Sequence, residues 1–345
     1  MPITLRNPDA DPGNLDPELA ALVRKSLTSP AALQAALFGL CWPNESALVE
    51  DLGGVVLQKG ESLHEATTRH KLTWVPGWLI EAGHRAVDAA GQDLGSSGRA
   101  TATGPITWDP PVRLCRLDDQ VPDSASVPAR GRRLAGEVAV AALWRSAAAA
   151  GGISADGEYD VRPVDLSGGT RGARFKNALL YVLRLGLPPD WKVEGELRLD
   201  KIYGLHLRRD VGGRSSDIAV FDDRDRLTAV ISSKWTWRSD RGTEAAQMVP
   251  LNRYRPEVPY VLVTAEFPRM RNVARESVED RAYHLSPQWV AAFLTLRELD
   301  VSRSAPAEFP SLQSLQEEAR RIASIMALTD VSDLADDLVT SGRRG

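Results

Sequence analysis

Asp217 and Lys234 are the residues of this 345-residue chain whose types and spacing could do chemistry. Asp217 lies in an apolar, strand-like run, SSDIAVFDD from Ser215. A charged turn follows, and a second run, LTAVISSK, ends on Lys234. A carboxylate and a lysine at the ends of adjacent strands are the minimal core of metal-dependent phosphodiester hydrolysis. That reaction must stabilise charge on phosphoryl oxygens, activate a water and handle a leaving oxygen. Magnesium held by carboxylates supplies much of this, and a lysine can orient the water or help deprotonate it.

Strand alternation puts Ser232 and Lys234 on one face and Ser233 on the other. Asp217 is the first expected Mg²⁺ ligand, and the Ser233 main-chain carbonyl could be another. Many such enzymes carry an acidic residue two positions before the lysine, and here that position is Ser232. A second carboxylate must then come from elsewhere. Glu244 is the first candidate, with Glu196 and Glu137 behind it. Just past the lysine comes Arg238-Ser239-Asp240-Arg241. Two forked guanidiniums suit the acceptor edge of guanine, and a carboxylate can accept from cytosine. An isolated Asp–Lys pair is most often a plain salt bridge; the whole string in register is what favours a nuclease.

The pattern Asp217…Ser232-x-Lys234-x-x-x-Arg238-Ser239-Asp240-Arg241…Glu244 resembles the NgoMIV type of restriction endonuclease, within the PD-(D/E)XK nuclease superfamily. The resemblance spans about residues 170 to 285. It implies that Asp217, Lys234 and a downstream glutamate bind Mg²⁺ and activate water. It also implies that Arg238, Asp240 and Arg241 read the inner bases of a CCGG site. Three positions depart from the pattern. Ser216 rather than proline precedes Asp217, and Glu244 falls about one helical turn early. The upstream helix has Phe175-Lys176-Asn177 where related nucleases often place a glutamate.

The surrounding elements must position these groups. From about residue 170 the order reads helix, strand, strand, strand, helix, strand, helix. The expected fold is therefore α/β, a restriction-endonuclease-like mixed β-sheet flanked by helices, with a largely helical N-terminal extension. The expected division is 1–130 for that helical and loop region, 131–300 for the nuclease core and 301–345 for a helical tail. Residues 1 to 15 read as a flexible arm. Residues 16 to 40 read as a helix broken at Pro30, and the stretch from Trp74 as a turn leading into a helix. Residues 101 to 131 read as a surface loop, and an Ala-rich helix is expected from Leu134. PYVLVTAEF, from Pro259, reads as a buried central strand. SLQSLQEEARRIASIMALTDVSDLADDLV reads as one or two helices.

Composition narrows the class. The net charge of −4 argues against a general nucleic-acid coat but suits a cleft that concentrates basic groups. Seven arginines from Arg238 to Arg275 make such a local concentration. Two cysteines, Cys41 and Cys115, give neither a disulfide framework nor a zinc site. No apolar run is long enough for a membrane helix and no leader pattern opens the sequence, so a cytoplasmic protein is expected. His64-Glu65 lacks the second histidine of a zinc-protease pair, and SGGTRG lacks the Lys-Ser/Thr of a nucleotide loop. The expected activity is Mg²⁺-dependent cutting of double-stranded DNA at a short GC-rich palindrome, with no nucleotide cofactor. Two symmetric cuts call for a homodimer, and the resemblance permits a homotetramer. The alternatives are a structure-directed or repair nuclease of the same superfamily, and a non-catalytic sequence-specific DNA-binding protein.

Overall fold

A computed structural model describes residues 3–39, 55–70, 85–95, 97–109, 168–202, 215–235, 251, 253–265, 279–285, 287, 321 and 328–342. The chain forms two compact units. The first comprises Met1–Cys41, Arg171–Pro287 and Met326–Gly345; the second comprises Trp42–Thr170 and Gln288–Ile325. The boundaries expected after residues 130 and 300 fall outside the described residues.

The first unit opens with two helices, α1 (Pro17–Ser26) and α2 (Pro30–Gly39). Asp16 caps α1 by accepting from Glu18 N at 2.9 Å, with Pro17 pre-set for the first turn. Arg24 and Lys25 complement the dipole at its end. The break falls at residues 27–29, and Ser29 Oγ accepts from Ala32 N at the start of α2. The expected flexible arm is instead pinned. Arg6 N and Asn7 N both donate to Leu185 O at 3.0 Å, and Ile3 N donates to Leu27 O at 3.1 Å. The Arg6 guanidinium donates to Gly186 O at 2.7 Å and pairs with Asp336 at 2.6 Å. Pro, Asp and Gly content predicted mobility, but these main-chain groups find partners far along the chain.

The 55–109 part of the second unit has β1 (Val56–Leu57), α3 (Leu63–Arg69), β2 (Arg85–Val87), β3 (Gly104–Pro105) and β4 (Thr107–Asp109). β1 pairs antiparallel with β3, and β2 with β4. A largely helical region was expected here, and two expectations are corrected. Arg85–Val87 is a strand rather than part of a helix, because Asp88 stops it by binding the turn that follows. Residues 104–109 are paired strands rather than loop. Ile106 and Trp108 of this stretch pack with Val55, Leu57, Leu63, Ala66 and Leu94.

The first unit continues with α4 (Gly168–Gly186), whose buried residues Phe175, Ala178, Leu179, Tyr181, Val182, Leu183 and Leu185 leave few positions for solvent. A helix apolar on most sides lies inside a fold rather than on it. Six strands follow: β5 (Lys192–Gly195), β6 (Ile218–Phe221), β7 (Leu227–Lys234), β8 (Tyr260–Thr264), β9 (Arg281–His284) and β10 (Leu328–Asp330). They form one sheet in the order β10-β9-β8-β7-β6-β5. β5, β6 and β7 run antiparallel as a meander, and β7 to β10 run parallel. This is the expected mixed α/β arrangement around a central mixed sheet. All five residues of β8 are buried, as a central parallel strand requires.

The β6–β7 hairpin turns on Asp222. Its carboxylate accepts from Arg224 N and Arg226 N at 2.9 Å each and from Arg226 Nε at 2.8 Å. Burial pushes this carboxyl's pKa up, but those donors outweigh it and hold it below the usual range. Asp225 completes the turn in the left-handed region at φ 57°.

The last segment, α5 (Leu334–Gly342), follows a 3₁₀ turn, Val331–Asp333. Leu328–Asp330 lies in a stretch expected to be helical, yet it is a strand beside β9. Asp330 explains it: as cap of the 3₁₀ turn, accepting from Ser332 N at 2.9 Å, it adopts extended geometry. Tyr283 OH donates to Asp337 at 2.7 Å, tying α5 to β9. Burial, then this acceptor, raises the phenol above its ordinary pKa.

Candidate active site

Register sets the site. Ile218 of β6 faces Ile231 of β7, so Asp217, one residue before β6, stands level with Ser232. Asp217 and Lys234 then project from the same face, two residues apart along the ladder. The Lys234 ammonium pairs with Asp217 Oδ2 at 2.8 Å. The same oxygen accepts from Ser233 N at 2.8 Å. Both side chains are partly accessible, Lys234 15% and Asp217 29%. Asp217 Oδ1 accepts no hydrogen bond among the described residues.

The Ser233 amide points to the β6 side, where a main-chain carbonyl would ordinarily receive it. The Asp217 carboxylate takes that place. In an antiparallel ladder both main-chain groups of a residue face the same neighbour, so the Ser233 carbonyl also faces this edge. The Ser233 hydroxyl lies on the opposite face, buried and without a hydrogen-bond partner among the described residues. Ser232 is buried on the Lys234 face. Trp235 packs inward, 5.4 Å and 73° from the Phe175 ring of α4, as a core residue does.

Glu196 is drawn to Asp217 by main chain. Its N–H donates to Asp217 O at 3.0 Å, extending the β5–β6 pairing beyond Gly195. Its backbone is left-handed, at φ 58°, and its carboxylate is taken by the ammonium of Lys176 on α4. Lys176 therefore occupies, as a cation, the helix position where a glutamate was sought. Glu244, Glu137 and Arg238-Ser239-Asp240-Arg241 lie outside the described residues.

Sequence reasoning missed a polar row across the parallel strands. Lys234 is level with Thr264, Thr264 with His284, and His284 with Asp330. Thr264 and His284 are fully buried. The signal was present: YVLVT, RAYH and LTD each end on a polar residue. Glu65 is structural. The Glu65 carboxylate closes a capping box with Ser62, and the His70 ring lies 3.2 Å from Val56 O.

Among the described residues no three His, Cys, Asp or Glu side chains come together as a metal cluster. The donors present are one carboxylate with an open oxygen and one main-chain carbonyl. Magnesium keeps several waters and is held in phosphoryl-transfer sites by one or two carboxylates plus substrate oxygens. The donor set fits that ion.

No family model matches the chain, and no curated protein matches it. Among solved structures it is similar to one described as "Restriction endonuclease PspGI-substrate DNA complex". That likeness has 12% sequence identity and a TM-score of 0.32, over 67% of this chain and 87% of that one. A score this low establishes no shared fold, so the reading below rests on the site's own geometry.

Proposed function

We propose that this chain is a Mg²⁺-dependent endonuclease of the PD-(D/E)XK type, cutting duplex DNA at a short GC-rich palindrome with a CCGG core. The observation that carries this reading is the meeting of Asp217 and Lys234 at the open ends of β6 and β7, on one oxygen shared with Ser233 N. The Asp217 carboxylate and the Ser233 carbonyl would hold the ion, with Glu244 as the further ligand. When bound, Mg²⁺ supplies Lewis-acid polarisation of the phosphoryl group and lowers the pKa of water. Lys234 orients the attacking water and, as an ammonium, offsets charge growing on the phosphoryl oxygens. The water oxygen bonds to phosphorus as the bond from phosphorus to the leaving oxygen breaks. The water's proton passes to solvent and solvent protonates the leaving oxygen. Arg238, Ser239, Asp240 and Arg241 contact base edges, and a homodimer or tetramer presents two sites to the two strands.

The test is digestion of unmethylated plasmid by the full chain, with Mg²⁺ or with EDTA, followed by end-sequencing. Discrete Mg²⁺-dependent fragments sharing one palindrome are expected. A ladder of unrelated ends would identify a structure-directed nuclease instead. Intact DNA that is nonetheless bound sequence-specifically would identify a binding protein.

A further inference from the structure

A cleft of about 260 Å³ opens between α4, the end of β5 and residues 12–14. The α4 side presents Lys176, Leu180 and Arg184, spaced i, i+4 and i+8 so that they share a stripe. Leu180 seats the stripe on the sheet. A Cβ on Gly195 would lie 3.1 Å from Leu180 Cδ1, so the leucine packs closely on the end of β5. Arg184 lies against Gly13, in the left-handed region at φ 66°, and donates to Asp11 O at 3.3 Å. Any side chain on Gly13 would collide with the guanidinium. The cleft wall thus carries two cations, each held in place. Against them stands one carboxylate, Glu196, bound to Lys176 and held in a backbone region costly for a residue other than glycine. Glu196 is 69% exposed, so burial does not explain that geometry.

We infer that this cleft is a seat for a backbone phosphate of the DNA strand next to the one being cut, and that Glu196 occupies Lys176 as a stand-in for that phosphate until DNA arrives. The inference rests on the nuclease reading and deepens it. A phosphodiester in the cleft would meet Lys176 and Arg184, and the hydrogen bond from Glu196 N to Asp217 O joins the cleft's rim to the strand end that carries Asp217. Glu196 is then a brake on non-specific binding rather than a metal ligand, and Lys176 is a positioning residue.

The test is binding of the full chain to random-sequence duplex DNA in EDTA across a range of salt, beside plasmid digestion in Mg²⁺. Neutralising Lys176 (Lys176→Gln, with Lys176→Ala as a second variant) should flatten the slope of log affinity against log salt by about 0.9. Glu196→Gln should tighten binding roughly two- to fivefold, the scale of a released exposed ion pair. The double variant should lose that gain. Unchanged slope and affinity in these variants, with plasmid still cut by the wild type, would overturn the cleft assignment and leave the nuclease reading intact. Loss of cutting in Glu196→Gln with unchanged affinity would make Glu196 a metal ligand and equally overturn it. A wild-type chain that neither binds nor cuts DNA would end both.

Discussion

Asp88 and Asp217 both stand at the end of a short strand, and their surroundings use the same carboxylate in opposite ways. Asp88 follows β2 in the second unit and is 2% exposed. Its Oδ1 accepts from Ala90 N and Gln92 N, and its Oδ2 from Thr101 N, Thr101 Oγ and Ala102 N. Main-chain bonding, first from Gln92, outweighs desolvation and holds the carboxyl well below its ordinary pKa. With every lone pair consumed, this side chain is a stitch between a turn and a distant loop. Asp217 keeps one oxygen uncommitted and shares the other between an amide and an ammonium. Capacity left over, rather than acidity, marks the residue able to take a cation.

The largest expected effects separate the two carboxylates. Lys234→Ala should lower cutting by about 10²- to 10⁴-fold while specific binding in EDTA persists. Asp217→Asn should do likewise. Asp88→Asn should leave cutting by the folded protein unchanged and instead speed hydrogen exchange at Gln92, Thr101 and Ala102. Equal loss of cutting in all three variants would collapse the distinction.

Next in size is the core beneath the site. Phe175→Ala removes the ring against which Trp235 packs and should cost about 3–5 kcal/mol in chemical denaturation. Exchange should quicken in β6 and β7 and stay unchanged among residues 55–109. A smaller effect belongs to acid. Glu61 is held at a pKa of about 2, against an ordinary 4.5, first by its hydrogen bond from Arg69. A depressed folded pKa contributes stability that is full above about 4.5 and lost as pH falls through about 2. Loosening of residues 55–70 in that window, followed by amide exchange, should be absent in Glu61→Gln. The smallest effect is that of Lys192→Ala. Its pair with Asp225 is exposed on both sides, so neither melting nor cutting should change measurably.

Much of the sheet was legible because β7 and β8 are nearly continuous apolar runs bounded by charged turns. The Asp217–Lys234 pairing was legible because the hairpin between them is short enough to fix register. Residues 85–109 were not, since strands of two or three residues carry no periodicity and are stabilised by Asp88 reaching across to Thr101. Glu196 was a minor candidate whose engagement by Lys176 depends on a helix that meets β5 through Gly195. The buried row of Thr264 and His284 needed the parallel register of three strands, and no local pattern encodes register between segments that far apart.

The pinning of residues 3–7 also has a temporal side. Thr4 Oγ1 donates to Asp336 at 3.4 Å across 332 positions of sequence, and Arg6 reaches the same carboxylate. On the ribosome the Thr4 hydroxyl and the Arg6 ion pair must wait for Asp336 to be synthesised. Contacts of such long sequence separation close late and slowly. A chain interrupted before residue 336 can neither lock Arg6 nor dock α5 on β9. Completion of the sheet at its β10 edge is thereby tied to translation having run past that point.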